Sequence, residues 1–374
     1  MAPANSRFVL DLQEVNSTVI TEVQYPISPG ISTATVPYLE DLIDPLLKYV
    51  RPSFLTPGAA AYVPEEMTTN IRGFKVRFAE ALPGSLPSFT QDTFVTKAIK
   101  GGIGSLNFIA TAIVNDGVHT DLVALPPNGR FLTHVPSGRL QRPDEWGWLL
   151  YLCTENEAVR NVTYEVLYAD GLSASITRAV PNAGAGDTTY RNWYIPTGVA
   201  QCGLDPTSRG VISYTIRVVH GAGFPPTIVA SYTIMVDNRP YYHPFTLHYR
   251  NSLGGWDNLC LRGEAEHSAD AERSEYARSI NDSINGTANW YNTSLRPKFK
   301  CFTGYMSGEH LTALQDLMLS SECAILLGSS WLPVRVASKS LTHFNSRDSL
   351  HSAQLELESA GSHVAFPKQI LDLI

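Results

Sequence analysis

Charge is sparse in this chain: Asp, Glu, Lys and Arg make up 17% of its 374 residues. With 44% hydrophobic residues it is too apolar for a disordered protein. Lysine is scarce, no run of basic residues exceeds two, and the net charge is −7. Proteins that grip nucleic acid through its phosphates display a basic face. Nucleic-acid readout is therefore excluded as the main task. No apolar stretch approaches the ~18–20 residues of a membrane-spanning helix. The segment Met1–Val15 has no charged stretch followed by an apolar one, so no membrane span and no secretory signal are expected.

Paired cysteines are missing too. Cys153, Cys202, Cys260, Cys301 and Cys323 are odd in number and far apart, with no CxxC or Cys/His pair at zinc-site spacing. Each is expected to be a small buried hydrophobe. The chain carries no GxSxG elbow, Walker loop, HExxH or EF-hand loop. Lys100–Gly104 is glycine-rich but lacks a GK[ST] ending, so it reads as a turn. His243 and His248, five residues apart on one strand, face opposite sides and cannot chelate one metal. Acids gather at Glu264, Glu266, Asp270, Glu272 and Glu275. Paired acids serve glycoside hydrolysis, but Arg273 and Arg278 are interleaved here. That mixture predicts a solvated loop and short helix. No catalytic residue, cofactor or metal ligand is assigned, and the chain is not expected to be an enzyme.

What the chain has in quantity is turn and strand residues. Its 27 glycines and 24 prolines are spread along it, among many Thr, Ser, Val and Tyr. This composition predicts a mainly β, multidomain protein. Residues 1–135 are expected to form an N-terminal, mostly-β domain. Within it, 8–15, 74–78 and 105–117 read as strands and 36–50 as a helix broken by Pro45. The Pro/Gly/Arg-rich stretch 134–145 reads as a linker and boundary. Residues 136–240 then show strands of 7–10 residues between Gly/Pro/Asp turns, the pattern of an immunoglobulin- or fibronectin-like β-sandwich. On them Val162, Tyr164, Val166 and Tyr168 share one face, as do Ile212, Tyr214, Ile216 and Val218.

Residues 241–374 predict a hairpin over 245–261, a polar segment over 264–294 and a strand from Leu295. A helix with Leu311, Leu314, Leu317 and Met318 on one stripe follows, with Ser307 as its cap, and then three more strands. That order makes a β-sandwich or half-barrel carrying one packed helix. The loop from Asn251 through Gly254, Gly255 and Trp256 is a candidate interface. Its two glycines imply φ > 0 or the close approach of another chain. Asp257 is expected to cap that loop through backbone N–H groups. The polar arm, with Asp270, Arg273, Tyr276 and Arg278, is a second candidate interface, ordered by contact with a neighbour. The aromatics Trp146, Trp148 and Trp256 suggest a sugar platform as an alternative.

The segment FTLHYRNSLGGWDNLCL at 245–261 resembles part of large structural proteins encoded by phages and prophages of Bacteroidetes bacteria. Residues 303–360 resemble their C-terminal end, and 130–152 is similar to a mid-chain stretch of the same proteins. The order of strands with one helix also looks like the tail-tube and distal-tail fold of long-tailed phages. The resemblance implies a virion protein of the tail tip or baseplate, made in the host cytoplasm. It would assemble as a ring-like homo-oligomer and contact other tail or baseplate proteins. A receptor- or carbohydrate-binding virion protein, meeting a host surface glycan, is the alternative that it allows.

Overall fold

The structure is a computed structural model. It describes residues 7–14, 19–26, 64–67, 71–81, 94–99, 131–153, 159–181, 191–220, 227–241, 245–277, 288–306, 310–327, 330–338 and 352–360. The expected helix over 36–50, the strand over 105–117, the glycine-rich turn at 100–104 and the Ser307 cap lie outside these residues. What is described is mainly β.

In the N-terminal part, β1 (Arg7–Glu14), β2 (Val19–Pro26), β4 (Ile71–Ala81) and β5 (Phe94–Ile99) form an antiparallel sheet in the order β2-β1-β4-β5. The expected strands at 8–15 and 74–78 lie in β1 and β4. Between β2 and β4, the short strand β3 (Glu65–Met67) departs from the expected boundary at residue 135. It pairs with β10 (Asn192–Pro196), so this N-terminal segment supplies an edge to the middle sandwich.

The middle sandwich has one five-stranded and one three-stranded sheet. The larger contains β6 (Arg139–Gln141), β8 (Val159–Tyr168), β9 (Ser173–Ala179), β11 (Val211–His220) and β12 (Thr227–Val236), in the order β6-β12-β11-β8-β9. The smaller sets β7 (Trp148–Leu152) beside β10 and β3. Val162, Tyr164, Val166, Tyr214, Ile216 and Val218 fill the space between the sheets as their alternation predicts. Ile212 does not: the register shifts between Val211 and Ser213, so Val211 turns inward and Ile212 is 39% exposed. A short helix, α1 (Val199–Cys202), follows β10 and closes one end of this core.

All five residues of β7 and all five of β10 are buried. Leu149, Tyr151, Trp193 and Ile195 face the sandwich core, while Trp148, Leu150, Leu152 and Tyr194 pack with Leu253 and Trp256 of the C-terminal part. The three-stranded sheet is thus the central layer of three, which is why WLLYL reads as a continuous apolar run rather than an alternation. The expected linker at 134–145 is corrected by the same fact. His134, Val135, Arg139, Gln141 and Glu145 are buried where the layers meet, and Arg139–Gln141 form β6, parallel to β12. Proline and glycine there shape turns inside a packed unit.

The C-terminal part is one antiparallel sheet of seven strands. Its members are β13 (Phe245–Arg250), β14 (Trp256–Leu261), β15 (Ala265–Ala277), β16 (Ala288–Phe302), β17 (Cys323–Leu327), β18 (Ser330–Val336) and β19 (Gln354–Ser359). Their order is β14-β13-β17-β18-β19-β16-β15, which puts β14 and β15 at opposite edges although only Arg262–Glu264 join them. Four residue steps reach at most about 14 Å. Laid flat, seven strands at ~4.8 Å spacing would hold those edges about 29 Å apart. The sheet must therefore curl until its edges come within that reach at this corner. Gly263 N donates to Phe302 O, and Phe302 N to Glu264 O, both at 3.0 Å, and these bonds fasten the corner. The helix α2 (Leu311–Leu319) sets Leu314 and Leu317 into the core formed by Leu247, Tyr249, Ile325, Leu355 and Leu357. A curled sheet with one packed helix agrees with the half-barrel expectation.

The loop and short helix expected around the acids at 264–275 are corrected. The described residues of the polar segment build β15 and the start of β16. The two strands share twelve rungs, from Ala265 opposite Cys301 to Ala277 opposite Ala288. Alternating charge suits a two-stranded ribbon, where opposite charges pair across strands. Lys298 Nζ lies 2.6 Å from Asp270 and 3.3 Å from Glu358.

Candidate functional site

The turn between β13 and β14 is built by Asn251. Its N–H donates to Gly255 O at 2.9 Å, and its Oδ1 accepts from Gly255 N at 2.7 Å. Gly254 has φ +92°, a left-handed conformation that disfavours any Cβ. Gly255 is required by proximity instead: a Cβ there would stand 3.1 Å from Leu150 Cβ and 3.3 Å from Leu132 O. The close approach comes from the same chain. Asn251, Gly254, Gly255, Trp256 and Asp257 are all buried at the layer junction.

Asp257 does not cap the turn; Asn251 does. Asp257 braces Asn251, whose Nδ2 donates to Asp257 Oδ2 and to Leu132 O, each at 2.9 Å. The Thr133 hydroxyl also bonds Asp257. Burial pushes the Asp257 carboxyl up to about 6, against the pull of those bonds and of the Arg139 guanidinium. One residue along, His134 Nε2 meets Ser252 Oγ at 3.2 Å. The Ser252 N–H donates to both oxygens of Asp316 on α2, at 3.0 and 3.1 Å. Burial lowers the His134 pKa and raises that of Asp316, and their mutual attraction opposes both shifts. Ser252, His134 and Asp316 do not form a nucleophilic relay. That chemistry needs the carboxylate on the far ring nitrogen, and the Asp316 oxygens take the serine backbone N–H.

A second polar cluster lies deeper. Arg139 Nη1 donates to Asn258 O at 3.4 Å, and its Nη2 donates to Thr197 Oγ1 at 3.2 Å. Glu145 accepts from Asn258 Nδ2 and from Arg142 N. Arg139 and Glu145 are 3% and 5% exposed; they make no direct ion pair, but Asn258 bonds both and their charges attract across the cluster. His248 stands between Trp148 and Trp331, with ring centroids at 5.7 and 4.6 Å. Burial pushes it down to about 3, so it is a neutral aromatic spacer at ordinary pH. Nothing in the sequence pattern pointed to Arg139, Glu145 or His134, which fall in the stretch read as a linker, and His248 was read only as unable to share a metal with His243. Asp316 fell on the helix without a role.

The second candidate interface is on the ribbon. Asp270 is exposed there and paired with Lys298. Arg273 and Tyr276 occupy backbone positions of β15, and Arg278 lies outside the described residues. Glu264 and Glu266 are exposed. All five cysteines are free and buried; burial pushes the Cys202, Cys260 and Cys301 thiols up to about 12. Among the described residues no group of three or more His, Cys, Asp and Glu is placed to hold a metal ion, and no helix is long and apolar enough to cross a membrane. Compared with known proteins, the chain matches no family model, no curated protein and no solved structure.

Proposed function

We propose that the chain is a non-enzymatic structural component of a phage tail or tail-like particle, placed at the tail tip or baseplate. The observation that carries this reading is the β15–β16 ribbon. Twelve rungs join its strands, but β19 backs β16 only from Lys298 to Phe302. From Ala269 to Ala277 the ribbon continues for about 27 Å with no third strand among the described residues. Isolated two-stranded ribbons are marginal in water and gain stability by packing on something else. Tyr276, Trp290 and Tyr291 fall near its far end, and aromatics are enriched in protein contacts. Such an arm suits repeated contact with neighbouring copies or other tail proteins around a ring.

The buried polar groups support a structural role, since they bond one another across the layers. Trp148 and Trp256, buried at that junction, have no face left for a sugar, while Trp146 is half-buried against Trp148. The test is mass spectrometry of gradient-purified particles, with light scattering of the purified protein. The expected results are the chain in the particles and a closed ring that fails to form when residues 271–295 are deleted. Absence of the chain from purified particles ends the reading.

A further inference from the structure

Strand β9 is the last of the five-stranded sheet, and among the described residues no strand pairs with its outer edge. The direction of its peptide groups follows from its rungs. Tyr168 N donates to Leu172 O at 2.9 Å, and Val166, Tyr164 and Val162 stand opposite Ala174, Ile176 and Arg178. Even-numbered residues therefore turn their backbone groups toward β8. Ser173, Ser175, Thr177 and Ala179 turn theirs outward.

Natural edges are guarded by lysine, proline, bulges or covering loops. β9 reads SASITRA, with no proline or lysine and no register shift against β8. Its one charge is engaged: Arg178 Nη2 donates to Cys202 O at 3.0 Å. By contrast, the outer edge of β15 carries Glu266, Asp270, Glu272, Arg273 and Glu275.

We propose that β9 is a self-association edge, which pairs antiparallel with β9 of a second copy across a twofold axis at Ile176. This centring is the one that pairs all seven residues. Ser175 then lies opposite the partner's Thr177, and Ala174 opposite the partner's Arg178, so no like charges meet. Hydroxyl pairs already run across this face, Thr215 with Thr233 at 3.0 Å and Thr163 with Thr177 at 3.4 Å. The new rung extends them. Leu172, 61% exposed in the β8–β9 turn, comes opposite the partner's Val180 and is covered. An isologous contact makes pairs and cannot by itself close a larger ring, so this inference goes beyond the tail reading.

Sedimentation equilibrium of the full chain tests it. Thr177→Pro removes an outward N–H that β8 does not use, and proline is tolerated at a strand edge. Leu172→Asp changes only an exposed turn residue and decides the matter should the proline variant misfold. The expected result is an even copy number for the wild type and half that mass for each variant, with unchanged circular dichroism. A wild-type monomer at tens of micromolar overturns the proposal. So does an oligomer whose mass a folded variant leaves intact. Absence of the chain from virions would end the tail reading and leave these outcomes as decisive as before.

Discussion

Asp257 offers a sharp test of the junction, because a buried carboxyl reports its surroundings through pH. Burial raises its folded pKa to about 6, against about 3.9 in an unfolded chain. A raised carboxyl binds its proton more tightly when folded. Its contribution to stability is therefore fully present below about pH 3.9 and is lost as pH rises through about 6. The full difference of about 2 pH units corresponds to about 3 kcal/mol. Between pH 8 and pH 5 the same linkage yields about 1.4 kcal/mol of added stability on acidification. Asp257→Asn keeps an acceptor for Asn251 and lacks the titration. His134 and Asp316 are present in both proteins, and the variant loses only the weak repulsion between Asp316 and Asp257, the last of the effects on Asp257. Thermal unfolding followed by tryptophan fluorescence suits the site, since Trp148 and Trp256 lie at the junction. On going from pH 8 to pH 5, the wild type is expected to gain roughly 3–6 °C in Tm relative to Asp257→Asn. Parallel pH profiles would refute the reasoning, and a relative loss on acidification would reverse its sign.

Three further substitutions separate the kinds of contact. Gly255→Ala places a Cβ against Leu150 and Leu132 O at the layer junction and is expected to cost about 1–3 kcal/mol, read as a lower Tm with the sheet content retained. Arg139→Ala strips the buried Asn258 carbonyl and Thr197 hydroxyl of their donor and removes the charge that attracts Glu145 most strongly, and is expected to cost about 1–3 kcal/mol; adding Glu145→Gln should recover part of that loss in the same melt. Lys298→Ala breaks pairs with Asp270 and Glu358 that stand in solvent and are screened by it, so urea melts of this variant should nearly overlay those of the wild type.

The strands of the middle sandwich were legible because one face of each meets a core and the other meets water. Tyr164, Tyr214 and their neighbours therefore alternate cleanly. Helix α2 was legible from Leu314 and Leu317 for the equivalent reason in helical period. Legibility failed where that asymmetry fails. β7 and β10 are buried on both faces, so their composition marks burial without saying against what. β15 is charged and polar for most of its length, so its sequence looks like a loop until the cross-strand pairing is known. The stretch 134–145 misled through its prolines and glycine, which mark turns but do not say whether a turn lies between domains or inside one. The Asn251–Gly255 turn was found, yet its glycines face the chain's own Leu132 and Leu150. Composition alone cannot tell an approaching neighbour from an approaching segment of the same molecule.

The polar junction also has a reason to exist beside an apolar one. Trp148, Leu150, Tyr194, Leu253 and Trp256 would hold the layers together by burial alone, but apolar contacts are non-directional and fix the alignment weakly. A slip along the strands would separate Arg139 from Thr197 and Asn258, and Glu145 from Asn258. It would also part Asp257 from Thr133. Each group would then be buried without its partners, at a cost of about 1–3 kcal/mol, more where charged. The network thus penalises every alignment but one, whatever it adds to overall stability. In the proposed ring, a ribbon that contacts neighbouring copies would have use for such a fixed alignment. A flexible linker at 134–145 would let each copy present its two parts at a different angle, and a closed ring requires the same angle in every copy.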